Sequence, residues 1–345
     1  MKQERDCDHC EGNAKLMEAH FPGHKEGMEF RIYHCNDCNT SFALPKEDAT
    51  KIYNFIYSHG EVVPGYNRYL RYFNTIKQQD HPLEYLAQSE PAYWGLKESL
   101  NGIGHKYIDP RILEIGSGLG YLTYALKEEN YNITGLEISR EAVDNARDNF
   151  GEFYLCQDLF DYIITHEGSY DIIIMTEVIE HVHDPIAFLD TALKLLKKNG
   201  HIILTTPDRS LASTDIVWST DPPPIHYWWF SEDSMKYFAK KYGLDLEFID
   251  FYKYYRKNPN KYRSKNHYPM PIISANWELL KKKKSTKNWH LNGPKALIPL
   301  FKLIKNTFLK MKGLILIMKS RMDPDLILCS NKGEVLCAIF HKTRD

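Results

Sequence analysis

The chain predicts an α/β fold, a doubly wound sheet with a small cysteine ribbon ahead of it and a basic helical insertion before its closing strand. Three observations carry that expectation. Short apolar runs alternate with amphipathic stretches through residues 109–255, the pattern of βαβ units. A glycine-rich turn follows the first of those runs. Two Cys-x-x-Cys pairs stand near the beginning of the chain.

The first three strands are expected at Arg111–Ile115, Asn132–Glu137 and Phe153–Cys156. The next two are Tyr170–Thr176 and His201–Thr206, whose unbroken Ile and Leu fit a parallel sheet covered on both faces. Helices fill the gaps at Tyr121–Glu129, Arg140–Phe150 and Pro185–Lys198. Ser231–Tyr242 reads as a helix capped by Ser231 and stopped by Gly243. A sixth strand, Asp245–Tyr252, precedes a long insertion, and Glu334–His341 closes the sheet as the seventh. Ahead of the core, helices are expected around Ala49–Tyr57, Gly65–Gln79 and Pro82–Leu100. The organisation is therefore a ribbon over 1–45, a helical lid or linker over 46–108, the core over 109–255, the basic insertion over 256–333 and the closing strand over 334–345.

Composition bounds the function. With 43% hydrophobic and 26% charged residues the chain reads as a soluble globular protein. Its opening MKQERDCDHC has no apolar run of the signal-peptide kind. The most apolar window, Gly313–Met318, is far short of the ~20 residues that a bilayer span requires. A cytoplasmic location is the expectation. Seven cysteines, an odd number, point to reduced thiols and a metal site rather than a disulfide framework.

Cys7 with Cys10 and Cys35 with Cys38 form two knuckles separated by 24 residues. Tetrahedral Zn2+ takes four soft donors, and each tight turn supplies two thiolates. The alternation of Phe30, Ile32 and His34 suggests a hairpin that brings the pairs together. The four ligands close the site, so the expected role of zinc is structural. His9 and His34 could each substitute for a cysteine ligand, but read first as solvated loop histidines.

The strongest signal is R-I-L-E-I-G-S-G-L-G-Y-L-T, residues 111–123. Gly116 and Gly118 allow a tight turn and a close ligand approach at the mouth of the first strand. A dinucleotide loop would want glycine at 121; Tyr121 stands there, and the pattern is E-x-G-x-G-x-G ending at Gly120. Glu114 offers an acid to a cationic ligand group. Glu137, 23 residues on, can accept from both hydroxyls of a ribose, and Asp158 is placed to reach an adenine amino group.

This stretch resembles motif I of class I S-adenosylmethionine-dependent methyltransferases, and Thr176–Pro185 resembles their fourth motif. The resemblance covers about residues 82–255 and implies a seven-stranded sheet whose last strand is antiparallel. It implies a cofactor set of Glu114, Gly116, Gly118, Gly120, Glu137, Ile138, Asp158, Leu159 and Thr176. Gly116 and Gly118 would face the methionine part, Glu137 the ribose, and Asp158 with Leu159 the adenine.

On the acceptor side, T-E-V-I-E-H-V-H-D-P (176–185) resembles the ubiquinone-type O-methyltransferases and their relatives in surface-polysaccharide pathways. D-P-P-P-I-H-Y-W-W-F-S-E-D-S (221–234) is similar to the polysaccharide-associated group, which often bears a cysteine ribbon. The double match implies a hydroxyl of a sugar, glycan precursor or similar small acceptor. His181, Glu177 and His226 are the candidate catalytic residues, the histidines as bases and the acid as orienting group. A second reading gives Glu177, Glu180, His181 and His226 to one divalent cation, an arrangement similar to the small-RNA 2′-O-methyltransferases. A third leaves Glu180 and His181 bracing the helix after the fourth strand. Trp228 and Trp229 are read as stacking on the acceptor or as core, and Tyr85, Tyr93 and Trp94 as lid or core.

From Leu279 to Met322 the chain has twelve Lys or Arg and no acid. Lys295–Arg321 interleaves lysines with Leu, Ile and Phe, and a four-lysine run occupies Lys281–Lys284. Such a segment suits peripheral contact with an anionic membrane, suits nucleic-acid phosphates less well, and also suits a solvated face over a packed one. Two rivals to small-acceptor O-methylation remain: RNA ribose methylation, and a zinc-ribbon adaptor that binds the cofactor without turnover.

Overall fold

A computed structural model describes residues 3–63, 65–210, 222–258, 271–280 and 335–343. The chain opens with an antiparallel sheet of β1 (Glu4–Asp6), β2 (Asn13–Pro22), β3 (Glu29–Cys35) and β4 (Thr40–Leu44). Four helices follow: α1 (Thr50–Ser58), α2 (Asn67–Thr75), α3 (Pro82–Ser89) and α4 (Pro91–Ile103). The expected single helix over Pro82–Leu100 is broken at Glu90, whose backbone is extended (φ −136, ψ 143). Pro91 disfavours a helical conformation at the residue before it.

The core then alternates β5 (Arg111–Ile115), α5 (Tyr121–Glu128), β6 (Asn132–Glu137), α6 (Arg140–Phe150), β7 (Tyr154–Cys156), α7 (Leu159–His166), β8 (Tyr170–Thr176), α8 (Pro185–Leu195) and β9 (Leu196–Pro207). After it come β10 (Trp228–Trp229), α9 (Glu232–Tyr242), β11 (Asp245–Phe248), α10 (Tyr252–Lys257) and β12 (Val335–His341). The main sheet runs β7-β6-β5-β8-β9-β12-β11. Its first five strands are parallel, and β12 is antiparallel to both neighbours. This is the expected seven-stranded sheet with its last strand antiparallel.

Local chemistry explains where expectation and structure meet. Helix α6 has the expected bounds because Ser139 accepts from the Ala142 N–H at 3.3 Å and Gly151 ends it at φ 115. In α9, Ser231 and Ser234 form a capping box, and Gly243 stops the helix at φ 63. Helix α8 ends three residues earlier than expected, because β9 begins at Leu196 and bends through Asn199, a left-handed residue at φ 62. Helix α7 was not expected. Asp158 nucleates it by accepting the Phe160 N–H at 2.8 Å.

Successive residues of each strand enter two different cores. Leu113, Ile115, Leu136, Ile173, Met175, Ile202 and Leu204 join one, while Ile112, Ile133, Ile172, Ile174 and Ile203 join the other. The first core continues into the N-terminal sheet through Phe30, Phe42, Trp228, Trp229 and Phe238. The join is also a strand pairing: β10 adds to β4 with Trp228 opposite Phe42 and Trp229 opposite Ser41. Residues 271–280 lie against the β2–β3 turn, where Ile272 and Ile273 donate to the His24 carbonyl at 2.9 and 3.1 Å. Apart from Leu279 and Leu280, the basic run of 279–322 lies outside the described residues. Among those described, no helix is long and apolar enough to cross a membrane.

Candidate functional site

The turn after β5 is built by three left-handed glycines, Gly116 (φ 75), Gly118 (φ 51) and Gly120 (φ 82). Two of them are enclosed. A Cβ on Gly116 would lie 2.6 Å from Val178, and one on Gly120 would lie 2.7 Å from Ala146 and from the Tyr154 ring. Gly118 is different, with nothing within 4 Å of its Cβ position. The turn therefore opens at 118. Glu137, at the end of β6, is held by the same turn: its carboxylate accepts the Gly118 and Ser139 N–H groups, each at 2.9 Å. Each oxygen keeps acceptor capacity for a further donor.

Beneath the turn, Glu114 is 3% exposed and accepts a hydrogen bond from the Thr123 hydroxyl. Burial pushes its carboxyl up to about 8. An acid in that state is poised to ionise when a cation arrives beside it. Ile138 is 68% exposed just beyond Glu137 and offers an apolar surface at the mouth. The Thr176 hydroxyl at the end of β8 is buried with no hydrogen-bond partner among the described residues. Asp158 spends one oxygen capping α7, and the Leu159 side chain is buried in the core. Of the expected adenine pair, Asp158 thus keeps one oxygen and Leu159 only its backbone for a ligand.

Past β8 the structure brings Glu180, His181 and His226 together, with one donor atom of each lying within 4.8 Å of the others. Glu180 accepts from Thr206 of β9 at 3.0 Å, and its other oxygen is 3.9 Å from Nε2 of His181. Nδ1 of His181 lies 2.8 Å from the Ile225 carbonyl and 3.0 Å from the Tyr53 hydroxyl. A carbonyl only accepts, so Nδ1 carries a proton, and in the neutral ring Nε2 then holds the lone pair. His226 packs edge-on against His181 at 4.6 Å, and burial, then the charge of His24, lowers it to about 3. Glu177 stands outside this cluster, which corrects the four-ligand set expected from sequence. Its backbone is left-handed (φ 55), and its charge bears on Cys337 of β12.

The site also includes residues for which the sequence held no local signal. His24, from the β2–β3 turn, is 2% exposed, and its Nδ1 lies 3.3 Å from the Pro222 carbonyl. Tyr53 arrives from α1. Only tertiary packing assembles these with His181. Trp228 and Trp229 are each 1% exposed and belong to the core. Tyr93 bonds Tyr121 at 2.6 Å, Trp94 packs on Phe251 and Tyr254, and Tyr85 packs on Tyr72, so these aromatics pack among helices.

In the ribbon, the sulfurs of Cys7, Cys10, Cys35 and Cys38 all lie within 4.8 Å of one another. Cys7 and Cys38 are 3.8 Å apart, Cys10 and Cys35 3.5 Å. A tetrahedron with Zn–S of about 2.3 Å has edges of about 3.8 Å, so the donor set fits zinc. Burial raises the Cys10 thiol to about 12, while the hydrogen bond with Cys38 lowers Cys7 to about 6. His9 and His34 are buried, not solvated. His9 packs on Phe238 at 4.4 Å and bonds the Ser234 carbonyl, and His34 bonds Ser41. The second knuckle is seated on the start of α9, where the Ser234 hydroxyl donates to the Cys38 carbonyl at 3.2 Å.

A seven-stranded sheet in this order, with a glycine turn after β5 and a carboxylate closing β6, defines a class I S-adenosylmethionine-dependent methyltransferase. Residues 67–247 match the family model of a methyltransferase domain, and the chain belongs to that family. It is 29% identical over 108 residues to the ubiquinone biosynthesis O-methyltransferase of Vibrio parahaemolyticus, covering 30% of this chain and 46% of that enzyme. The Cronobacter sakazakii enzyme of the same name is 31% identical over 108 residues, covering 30% and 44%. The chain thus spans less than half the length of these curated relatives. Among solved structures it is similar to an S-adenosylmethionine-dependent methyltransferase from Archaeoglobus fulgidus, with a TM-score of 0.39 and 14% identity over 72% of this chain and 93% of that one.

Proposed function

We propose that this enzyme moves the methyl group of S-adenosylmethionine to a hydroxyl of a sugar, glycan precursor or similar small acceptor. The observation that carries this reading is His181, with its protonated nitrogen engaged by the Ile225 carbonyl and its other nitrogen beside a buried carboxylate. The sulfonium methyl is already activated, so the protein mainly aligns oxygen, methyl and sulfur. An alcohol must also lose its proton, and His181 Nε2 is the group that takes it. Glu180 steadies the imidazolium that forms. Glu137 holds the ribose, Glu114 the cationic end of the cofactor, and Ile138 the adenine face. The curated relatives, named as O-methyltransferases, support oxygen as the acceptor atom.

A second reading has one specific support, the mutual proximity of Glu180, His181 and His226. Those three fit a divalent cation that would lower the pKa of an acceptor hydroxyl. In the ribbon, zinc held by Cys7, Cys10, Cys35 and Cys38 would fix the N-terminal sheet. The basic run of 279–322 supports an anionic membrane surface as partner, reached from the cytoplasm.

The test is incubation with methyl-labelled cofactor and separated pools of nucleotide sugars, lipid-linked glycans and RNA. Label in a methyl ether of a sugar is the expected result. Label confined to RNA, lost steeply with salt and restored by added Mn2+, would replace this reading with metal-assisted ribose methylation.

A further inference from the structure

The turn over residues 274–278 holds Trp277 in a left-handed backbone (φ 63), a conformation that a bulky side chain rarely adopts. The turn is firmly tied. The Trp277 N–H donates to the Ser274 carbonyl at 3.1 Å, the Ser274 N–H to the Glu278 carbonyl at 2.8 Å, and the Glu278 N–H to the Ser274 hydroxyl at 3.0 Å. The Ala275 N–H donates to the Glu26 carboxylate at 3.1 Å, which pins the turn to the β2–β3 connection. Strain held so firmly argues for a use of the side chain it presents. That side chain keeps 39% of its surface open, although an indole gains by burial.

Trp277 lines a groove of about 330 Å³, at the small end of ligand sites. Lys51, Asn54 and Ser58, along one face of α1, line it too, with Phe55 adding a second ring 6.1 Å from the indole. Lys25 sets its ammonium 5.2 Å over the indole. Among the described residues the lining contains no carboxylate. An open aromatic face, an amide, a hydroxyl and two ammonium groups match a sugar ring that carries a negative charge. Its C–H face would lie on the indole, its hydroxyls would meet Asn54 and Ser58, and its carboxylate would pair with Lys51. The groove backs onto the acceptor side. Tyr53, across the helix, lies 3.0 Å from His181, and Phe55 shares an apolar cluster with Ile225, whose carbonyl is 2.8 Å from the same imidazole. About one helix width, roughly 10 Å, separates the two.

We infer that this groove is a second saccharide-binding site, which grips an acidic sugar of the uronic acid kind within a glycan chain whose other units reach His181. The inference rests on the glycan reading for its ligand and makes the acceptor a chain rather than a single sugar. Its assay needs neither cofactor nor turnover, so failure here leaves methyl transfer standing, and failed transfer leaves the groove standing. Calorimetry on the intact chain takes oligogalacturonate and neutral maltopentaose as probes. The acidic oligomer is expected to bind. Trp277→Ala should weaken it at least about tenfold and Lys51→Gln about two- to fivefold, with adenosylhomocysteine affinity within about twofold of wild type in both. No binding, equal binding of maltopentaose, or wild-type affinity in Trp277→Ala overturns the assignment. Phosphatidylglycerol vesicles that bind through Trp277 while the oligomer does not would overturn it in favour of a membrane surface. Hydroxyl-radical footprinting of the unaltered chain covers a variant that does not fold: oligogalacturonate should protect Trp277, and unchanged labelling there overturns the inference.

Discussion

Alanine at Gly118 should cost cofactor affinity at least as much as stability, and alanine at Gly120 should act chiefly on stability. Both glycines are left-handed, at φ 51 and φ 82. That conformation alone destabilises an alanine by about 1–2 kcal/mol. At 118 nothing further is lost, because no atom lies within 4 Å of the new methyl. The same methyl occupies the space through which a ligand approaches the turn, so affinity should fall at least about thirtyfold, or roughly 2 kcal/mol. At 120 the methyl meets Ala146 and the Tyr154 ring at 2.7 Å. Neither neighbour yields easily, since both are fully buried and the Tyr154 hydroxyl is anchored to the Gly120 carbonyl at 2.6 Å. Overpacking of that kind adds about 1–3 kcal/mol, for a total near 2–5 kcal/mol. Urea unfolding followed by circular dichroism and calorimetry with adenosylhomocysteine measure the two effects separately. A Gly118→Ala variant that binds as wild type does, or a Gly120→Ala variant that unfolds at the wild-type urea concentration, refutes the reasoning.

Three other outcomes follow from buried or clustered groups. Folding raises the Glu114 carboxyl from 4.5 to about 8, so the folded chain holds a proton that the unfolded chain has lost. Stability contributed at low pH should then fall by about 1.4 kcal/mol per pH unit between those values, and Glu114→Gln should flatten that slope in pH-dependent denaturation. The intact protein is expected to contain one zinc per chain by elemental analysis, and Cys35→Ser to lose it along with the thermal stability of the N-terminal sheet; a metal-free wild type that melts normally contradicts this. His181→Asn should slow methyl transfer by about 10²–10⁴ while adenosylhomocysteine affinity stays within twofold, and an equal loss of both would reassign His181 to structure.

The donor half was legible because its chemistry is local. Gly116, Gly118 and Gly120 are adjacent, Glu137 ends the neighbouring strand, and Ser139 and Gly151 mark α6 at the expected residues. The acceptor half was legible only in part. His181 and His226 stood out as residue types in unusual stretches, but Tyr53 and His24 come from α1 and the β2–β3 turn, more than a hundred residues away in sequence. No period or spacing encodes such a meeting. The Asp158 carboxylate was read for its position after β7, whereas the same position makes it the cap of α7. Glu177 was grouped with Glu180 through the resemblance to the small-RNA 2′-O-methyltransferases, but the group that the described residues bring together is Glu180, His181 and His226. His9 and His34 were read as polar loop residues, and the docking of the ribbon on α9 and β10 buries both.

A crystal of the protein grown with adenosylhomocysteine tests the central claim most directly. The ribose should lie on Glu137, and the sulfur should face the Glu180–His181–His226 cluster. Density for the nucleoside elsewhere, or none at saturating concentration, would contradict the account.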